Sequence, residues 1–133
     1  MRQFTKQTID YINLFETLTK ARVKDCFVNP NMLFIVEEGD IGKAVGKKGK
    51  NVFMVSKLIK KKIRIIEFNN NVEIFIKNLI YPIEGKIYKE NNLISIELSK
   101  SSDKGIILGR ERKKLQELQE IVNKYFNFEI KVK

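Results

Sequence analysis

The tetrapeptide Gly46-Lys47-Lys48-Gly49 lies in a stretch, Ile41 to Ile66, that carries nine positive side chains and no negative one. The nine are Lys43, Lys47, Lys48, Lys50, Lys57, Lys60, Lys61, Lys62 and Arg64. The formal charge of the whole chain is +10, so the remainder nets only +1. Two glycines bracketing two lysines suit the capture of a phosphate backbone. The ammonium groups attract the polyanion, and the missing side chains let another backbone come close. Gly46 is expected to leave the preceding helix through a left-handed conformation. The N–H groups that open the following helix favour anions.

Other chemistry is poorly supported. The chain has no histidine, which removes the commonest general base and transition-metal ligand. Cys26 is the sole cysteine, so neither a disulfide framework nor a cysteine metal cage can form within the chain. It is expected as a small buried strand residue. Gly42-Lys43-Ala44-Val45-Gly46-Lys47-Lys48 approaches a P-loop but is one residue short, and Lys48 stands where a Mg²⁺-binding hydroxyl belongs. Asp25, Glu37, Glu38 and Asp40 fit strand-surface and helix-cap roles better than acid–base pairs. Phe27, Phe34, Phe53 and Phe75 are expected in cores. These residues predict no enzyme, no metal and no cofactor.

At 133 residues, with 43% hydrophobic and 32% charged residues, the chain has the composition of a folded globular protein. A pI near 9.7 points to RNA, DNA or an anionic membrane as partner. The longest apolar run, Met32 to Val36, is far too short to span a bilayer. No charged-then-apolar signal opens the sequence, which predicts a cytoplasmic protein.

The elements that must hold the glycine turn follow from hydrophobic spacing. Tyr11, Leu14, Phe15 and Leu18 recur at helical spacing and predict an amphipathic helix over about 5–20. Strands are expected at 22–28 and 32–37, joined by a turn at Asn29-Pro30-Asn31. A short helix follows Gly39-Asp40, with Asp40 as its N-cap. Val52, Val55 and Ile59 mark a second helix after the glycine turn, and 63–68 reads as a strand. Asn69-Asn70-Asn71 is the expected boundary between domains 1–69 and 70–133. Beyond it the order restarts: a helix stopping before Pro82, strands at 83–88 and 93–98 around a turn at 89–92, and a short helix capped by Ser101 or Ser102. A turn at Gly109-Arg110-Glu111-Arg112, a helix carrying Leu115, Leu118, Val122 and Tyr125, and a strand at 126–132 complete it. A shift of 63 residues superposes Gly42 on Gly105, Gly46 on Gly109, Val52 on Leu115 and Leu58 on Ile121, the pattern of an internal duplication.

The segment Ile41-Gly42-Lys43-Ala44-Val45-Gly46-Lys47-Lys48-Gly49-Lys50-Asn51-Val52 resembles the signature of a KH domain, a Gly-x-x-Gly loop between two helices. The order helix, strand, strand, helix, helix, strand resembles the type II form. The resemblance implies an α+β fold of two tandem type II KH domains. It also implies binding of single-stranded RNA by Ile41, Gly42, Lys43, Gly46, Lys47, Lys48, Gly49, Lys50 and Asn51, with Arg64 on the adjoining strand. Such loops clamp about four nucleotides by their backbone. Bases are then expected over a groove between the flanking helices and the strand Ile63 to Ile66.

The second turn departs from the pattern. Arg112 replaces the last glycine, and Glu111 repels phosphate. Arg110, Arg112 and Lys113 nevertheless keep it basic, and residues 70–133 net +3 against +7 for 1–69. Two roles stay open for this half: a weaker RNA contact through Gly109, Arg110, Arg112 and Lys113, or support for the first domain.

Two consecutive domains of this kind, over about residues 4 to 133, resemble the archaeal NusA-like transcription factors. That resemblance implies a non-enzymatic, monomeric factor in transcription elongation or termination, with RNA polymerase as a further partner. The alternatives are a KH-fold protein adaptor and an RNA-binding factor of ribosome assembly or translation.

Overall fold

The computed structural model describes residues 5–28 and 32–133. The turn predicted at Asn29-Pro30-Asn31 lies outside the described residues. The chain divides into two compact units, one ending at Asn69 and the other running Asn70–Lys133. Each holds one three-stranded sheet with helices packed on it, an α+β architecture.

In the first unit, α1 spans Lys6–Thr19. Thr5 caps it by accepting from the Thr8 N–H at 3.2 Å, and Lys20 ends it in a left-handed conformation, φ 65°. The strands β1 (Val23–Phe27) and β2 (Met32–Val36) pair antiparallel. The third strand, β3 (Ile63–Glu67), pairs parallel to β2, with Phe34 opposite Ile65. Two parallel neighbours cannot be joined by a tight turn; they need a crossover. That crossover is α2 (Ile41–Val45), a single 3₁₀ turn at Lys47–Gly49, and α3 (Lys50–Ile59).

Strand alternation sorts the side chains. Cys26, Met32, Phe34, Val36 and Ile63 join Phe15, Ala44 and Val55 in the core between sheet and helices. Phe15 stacks on Phe34 at 4.3 Å between ring centroids, 20° from parallel. A stacked aromatic pair contributes about 1 kcal/mol beyond area burial. Cys26 is fully buried, as its strand position implied.

The second unit repeats the order with α4 (Val72–Ile80), β4 (Gly85–Glu90), β5 (Leu93–Leu98), α5 (Lys104–Leu108), α6 (Lys113–Tyr125) and β6 (Glu129–Val132). β4 and β5 pair antiparallel, and β5 and β6 pair parallel. Asn71 caps α4 by accepting from the N–H groups of Glu73 and Ile74. Phe75 on α4 meets Tyr125 edge-on at 5.9 Å and Phe126 at 6.0 Å.

Several local expectations shift. β4 starts two residues after Ile83 and runs through Glu90, because Asn91 takes φ 56° and closes the hairpin in two residues. The N-cap of the 3₁₀ turn Ser101–Asp103 is Lys100, and neither serine caps a helix end. The last strand is shorter than 126–132, since the Phe126 N–H still bonds to the Val122 carbonyl at the end of α6.

Candidate nucleic-acid interface

The glycine turn is built from three positive-φ residues, Gly46, Lys48 and Gly49. Gly46 stands at φ 77°, ψ 169°, a region that essentially only glycine enters. This is not the left-handed helical exit expected from the sequence; the chain leaves α2 extended, with positive φ. The Gly46 N–H still bonds to the Gly42 carbonyl at 2.9 Å. A Cβ on Gly46 would lie 2.8 Å from Asn51 Cγ and 3.0 Å from the Asn51 backbone nitrogen. Lys48 (φ 55°, ψ 30°) and Gly49 (φ 73°, ψ 16°) then turn the chain left-handed into α3.

Gly49 differs from Gly46 in one respect that matters for ligands. A Cβ there would meet nothing within 4 Å. Packing inside the protein therefore does not demand a glycine at this position. The space it leaves opens outward, beside the first turn of α3.

Asn51 ties the two helices together across the turn. Its Nδ2 donates to the Lys43 carbonyl at 2.8 Å, joining the first turn of α3 to the last of α2. Lys43, Lys47, Lys48 and Lys50 are all exposed. Gly42 is exposed as well, whereas Ile41 is half-buried and packs on the core. Ile41 thus anchors α2 rather than facing outward with the lysines.

Arg64 is not brought to this cluster. Ile63 and Ile65 face the helices, so alternation turns Arg64 to the opposite face of the sheet. Neighbouring protein lowers its pKa by desolvation, yet a guanidinium stays protonated across any working pH.

The crossover is tied down from its start by Asp40. One carboxylate oxygen accepts from the Arg22 backbone N–H at 2.8 Å and from Arg22 Nε at 3.1 Å. Asp40 makes no side-chain cap on α2, although it was expected to. The side-chain hydrogen bond from Arg22 leads the causes that hold the Asp40 pKa below the ordinary carboxylate value. The same contact raises the pKa of Arg22.

The second turn has the same path. Gly109 takes φ 70°, ψ 177°, Glu111 φ 55°, ψ 28°, and Arg112 φ 59°, ψ 22°. The bond from the Gly109 N–H to the Gly105 carbonyl is 2.9 Å, and that from the Arg112 N–H to the Gly109 carbonyl is 3.2 Å. Arg110, Glu111, Arg112 and Lys113 are exposed. In place of Asn51 stands Lys114, whose Cγ would lie 2.7 Å from a Cβ on Gly109.

Two expectations of burial are reversed. Asp25, expected on the strand surface, is fully buried, and its Oδ1 accepts from the Cys26 N–H at 2.8 Å. Phe53, expected in the core, is 70% exposed on α3. The core stripe Val52, Val55, Ile59 on that helix already excluded it by angle, so the signal was present in the spacing. Phe34 and Phe75 are fully buried, as expected. Among the described residues, no group of three or more His, Cys, Asp or Glu is placed to hold a metal, and no helix is long and apolar enough to cross a membrane.

A family model described as "KH domain" matches residues 11–82, more than half of the chain; the match runs past Asn69 through α4. A protein of Methanocaldococcus jannaschii is 37% identical over 83 residues, covering 62% of this chain and 45% of that one. A Methanococcus vannielii protein is 45% identical over 74 residues, covering 55% and 43%. The chain thus spans less than half the length of these two relatives. A Halococcus morrhuae protein is 24% identical over 123 residues, covering 90% of this chain and 88% of its own. All three are described as "Probable transcription termination protein NusA". A solved structure described as "Crystal structure of APE1850" shares the fold, with a TM-score of 0.73, 23% identity, and coverage of 98% of this chain and 100% of that one.

Proposed function

The chain belongs to the KH domain family, and from that premise we propose that it is a non-enzymatic, single-stranded RNA-binding factor of the archaeal NusA-like kind, acting on transcripts in elongation or termination. The observation that carries this reading is the Gly46–Gly49 turn. Its backbone is held open at Gly49, its lysines are exposed, and its shape is kept by the Asn51–Lys43 bond.

The mechanism follows from the geometry. Lys47 and Lys48 neutralise phosphates while Lys43 and Lys50 widen the positive field. The positive end of the α3 dipole adds attraction for a phosphate, although the Gly49 and Lys50 N–H groups are already bonded to the Gly46 and Lys47 carbonyls. Gly49 lets the ribose-phosphate chain approach without meeting a Cβ. Ile41 and Asn51 position the turn, and Arg64, on the other face of the sheet, takes no part in this contact. The second turn repeats the backbone, so Gly109, Arg110, Arg112 and Lys113 form a weaker second contact, reduced by the Arg112 side chain and the Glu111 charge.

The proposed setting is the cytoplasm, as a monomer, with RNA polymerase as protein partner. An adaptor role is the second reading. It is favoured by Ile74 and Tyr81, two turns apart on one side of α4 and its end, which are 45% and 75% exposed. Association with polymerase that survives nuclease treatment would support it.

The deciding experiment replaces Lys47 and Lys48 together by Asp and measures binding to a single-stranded oligoribonucleotide. The expected result is loss of binding with the thermal midpoint unchanged, since both side chains are exposed and Asp tolerates the left-handed backbone at position 48. Unchanged affinity would remove the turn as the grip.

A further inference from the structure

Phe53 is the more exposed of two large apolar side chains on the surface of α3, the other being Leu58. A ring exposed at 70% loses most of the benefit of burying an aromatic side chain. Among the described residues it has no ring partner, whereas Phe15 and Phe75 each pack on another ring. Its surroundings are lysine. Lys50 precedes it by three residues and Lys57 follows it by four, so both flank it on the outer face of the helix. Both lysines are exposed, and α3 carries no acidic residue.

The direction of the side chain adds a second constraint. Side chains on a helix lean toward its N-terminus and cover the turn before their own Cα. For Phe53 that turn contains Gly49 and Lys50. Gly49 is the position where a Cβ would find open space. The ring therefore leans toward the gap through which the phosphate backbone is proposed to pass, about one helical turn, ~5 Å, along the axis.

The second unit, with the same order of elements, supplies an internal comparison. The shift of 63 residues puts Gln116 at the place of Phe53 and Glu120 at the place of Lys57. The backbone of the two turns is the same, but the second helix presents a polar side chain amid mixed charge. The aromatic side chain thus occurs where the helix face is uniformly basic.

We propose that Phe53 is a stacking platform for one nucleobase of the RNA strand held by the Gly46–Gly49 turn, with Lys50 and Lys57 flanking the adjoining phosphates. This rests on the reading of the turn as a phosphate grip and adds a base contact to it. An aromatic face among cations is how single strands are held without sequence selection, because every base offers a π-face. Discrimination between the four bases is accordingly weak at this position.

The test compares wild type, Phe53→Ala and Phe53→Trp for binding to a single-stranded oligouridylate and to an abasic ribose-phosphate oligomer of equal length. Phe53→Ala is expected to weaken oligouridylate binding about 5- to 160-fold, the range that removing a stacking aromatic implies. Its affinity for the abasic oligomer and the slope of log affinity against log salt should match the wild type. The chain has no tryptophan, so Phe53→Trp places a single indole at the site. That variant should retain affinity, and its fluorescence should be quenched by the oligouridylate alone. Equal oligouridylate affinity for Phe53→Ala, or an unquenched indole, overturns the stacking role while leaving the turn intact. If RNA binding is unaffected and nuclease-resistant polymerase capture is lost instead, the ring serves a protein partner. Absence of any binding by the wild type removes the platform and the turn together.

Discussion

Lys48 and Glu111, 63 residues apart, hold one backbone conformation: φ 55°, ψ 30° in the first and φ 55°, ψ 28° in the second. Neither is glycine, and side chains enter this region at a cost of about 1–2 kcal/mol. The pair shows that both crossovers are wound the same way while their side chains carry opposite charge. The path is shared; the electrostatics differ. This relationship makes the second turn a test of what the first requires.

Reversing the charge at Glu111 should bring the second turn closer to the first. Glu111→Lys is expected to raise affinity for single-stranded RNA severalfold, with the thermal midpoint unchanged because the residue is exposed. Titration of a labelled oligoribonucleotide reads this directly. Unaltered affinity would assign the second half to support of the first.

The two glycines of the first turn should separate under alanine substitution. Gly46→Ala forces a Cβ into a glycine-only backbone region and to 3.0 Å from the Asn51 nitrogen. It should cost about 1–3 kcal/mol from the backbone alone. Gly49→Ala meets nothing within 4 Å and should cost about 1 kcal/mol for its left-handed φ, while weakening RNA binding. Urea denaturation of both variants, with binding measured alongside, checks the order.

Salt should reveal how many phosphates are held. For three or four contacts on a single strand, log affinity should fall against log salt with a slope of about −2 to −3. Lys50→Gln should lower the slope by about 0.7 if that lysine neutralises one phosphate. Binding isotherms across a series of potassium concentrations give both numbers.

Acid should loosen the root of the crossover. The folded-state pKa of Asp40 is depressed, chiefly by the hydrogen bond from Arg22. Its contribution is therefore present above the ordinary carboxylate value of about 3.9 and is lost as pH falls through the lower folded value. Thermal midpoints between pH 2 and 7 should show a steeper acid limb for the wild type than for Asp40→Asn. Equal limbs would mean that the Arg22 contact carries no net stability.

Much was legible in the order of residues because short-range spacing dictates local structure. The stripes Tyr11, Leu14, Phe15, Leu18 and Val52, Val55, Ile59 predict α1 and α3; all but Leu14, which is half-buried, pack on the core. The repeat of glycines at 46 and 109 located both turns, since each position requires a positive φ. The concentration of charge between Ile41 and Ile66 is a property of composition and needs no coordinates. The recognition of an archaeal NusA-like KH protein rested on these same local features, and the family match and the archaeal relatives bear it out.

What spacing could not supply were relations between residues distant along the chain. Asp40 is bound to Arg22, 18 positions away, instead of capping the helix beside it. Arg64 belongs to the basic run but is carried to the far face once β3 aligns with β2. Phe53 is as apolar as its neighbours, yet the angle between it and the core stripe leaves it outside. Periodicity and charge are written into consecutive residues and survive without a fold. Which faces are covered, and which partners meet, depends on strands and helices packing against each other, and that information resides in no single segment.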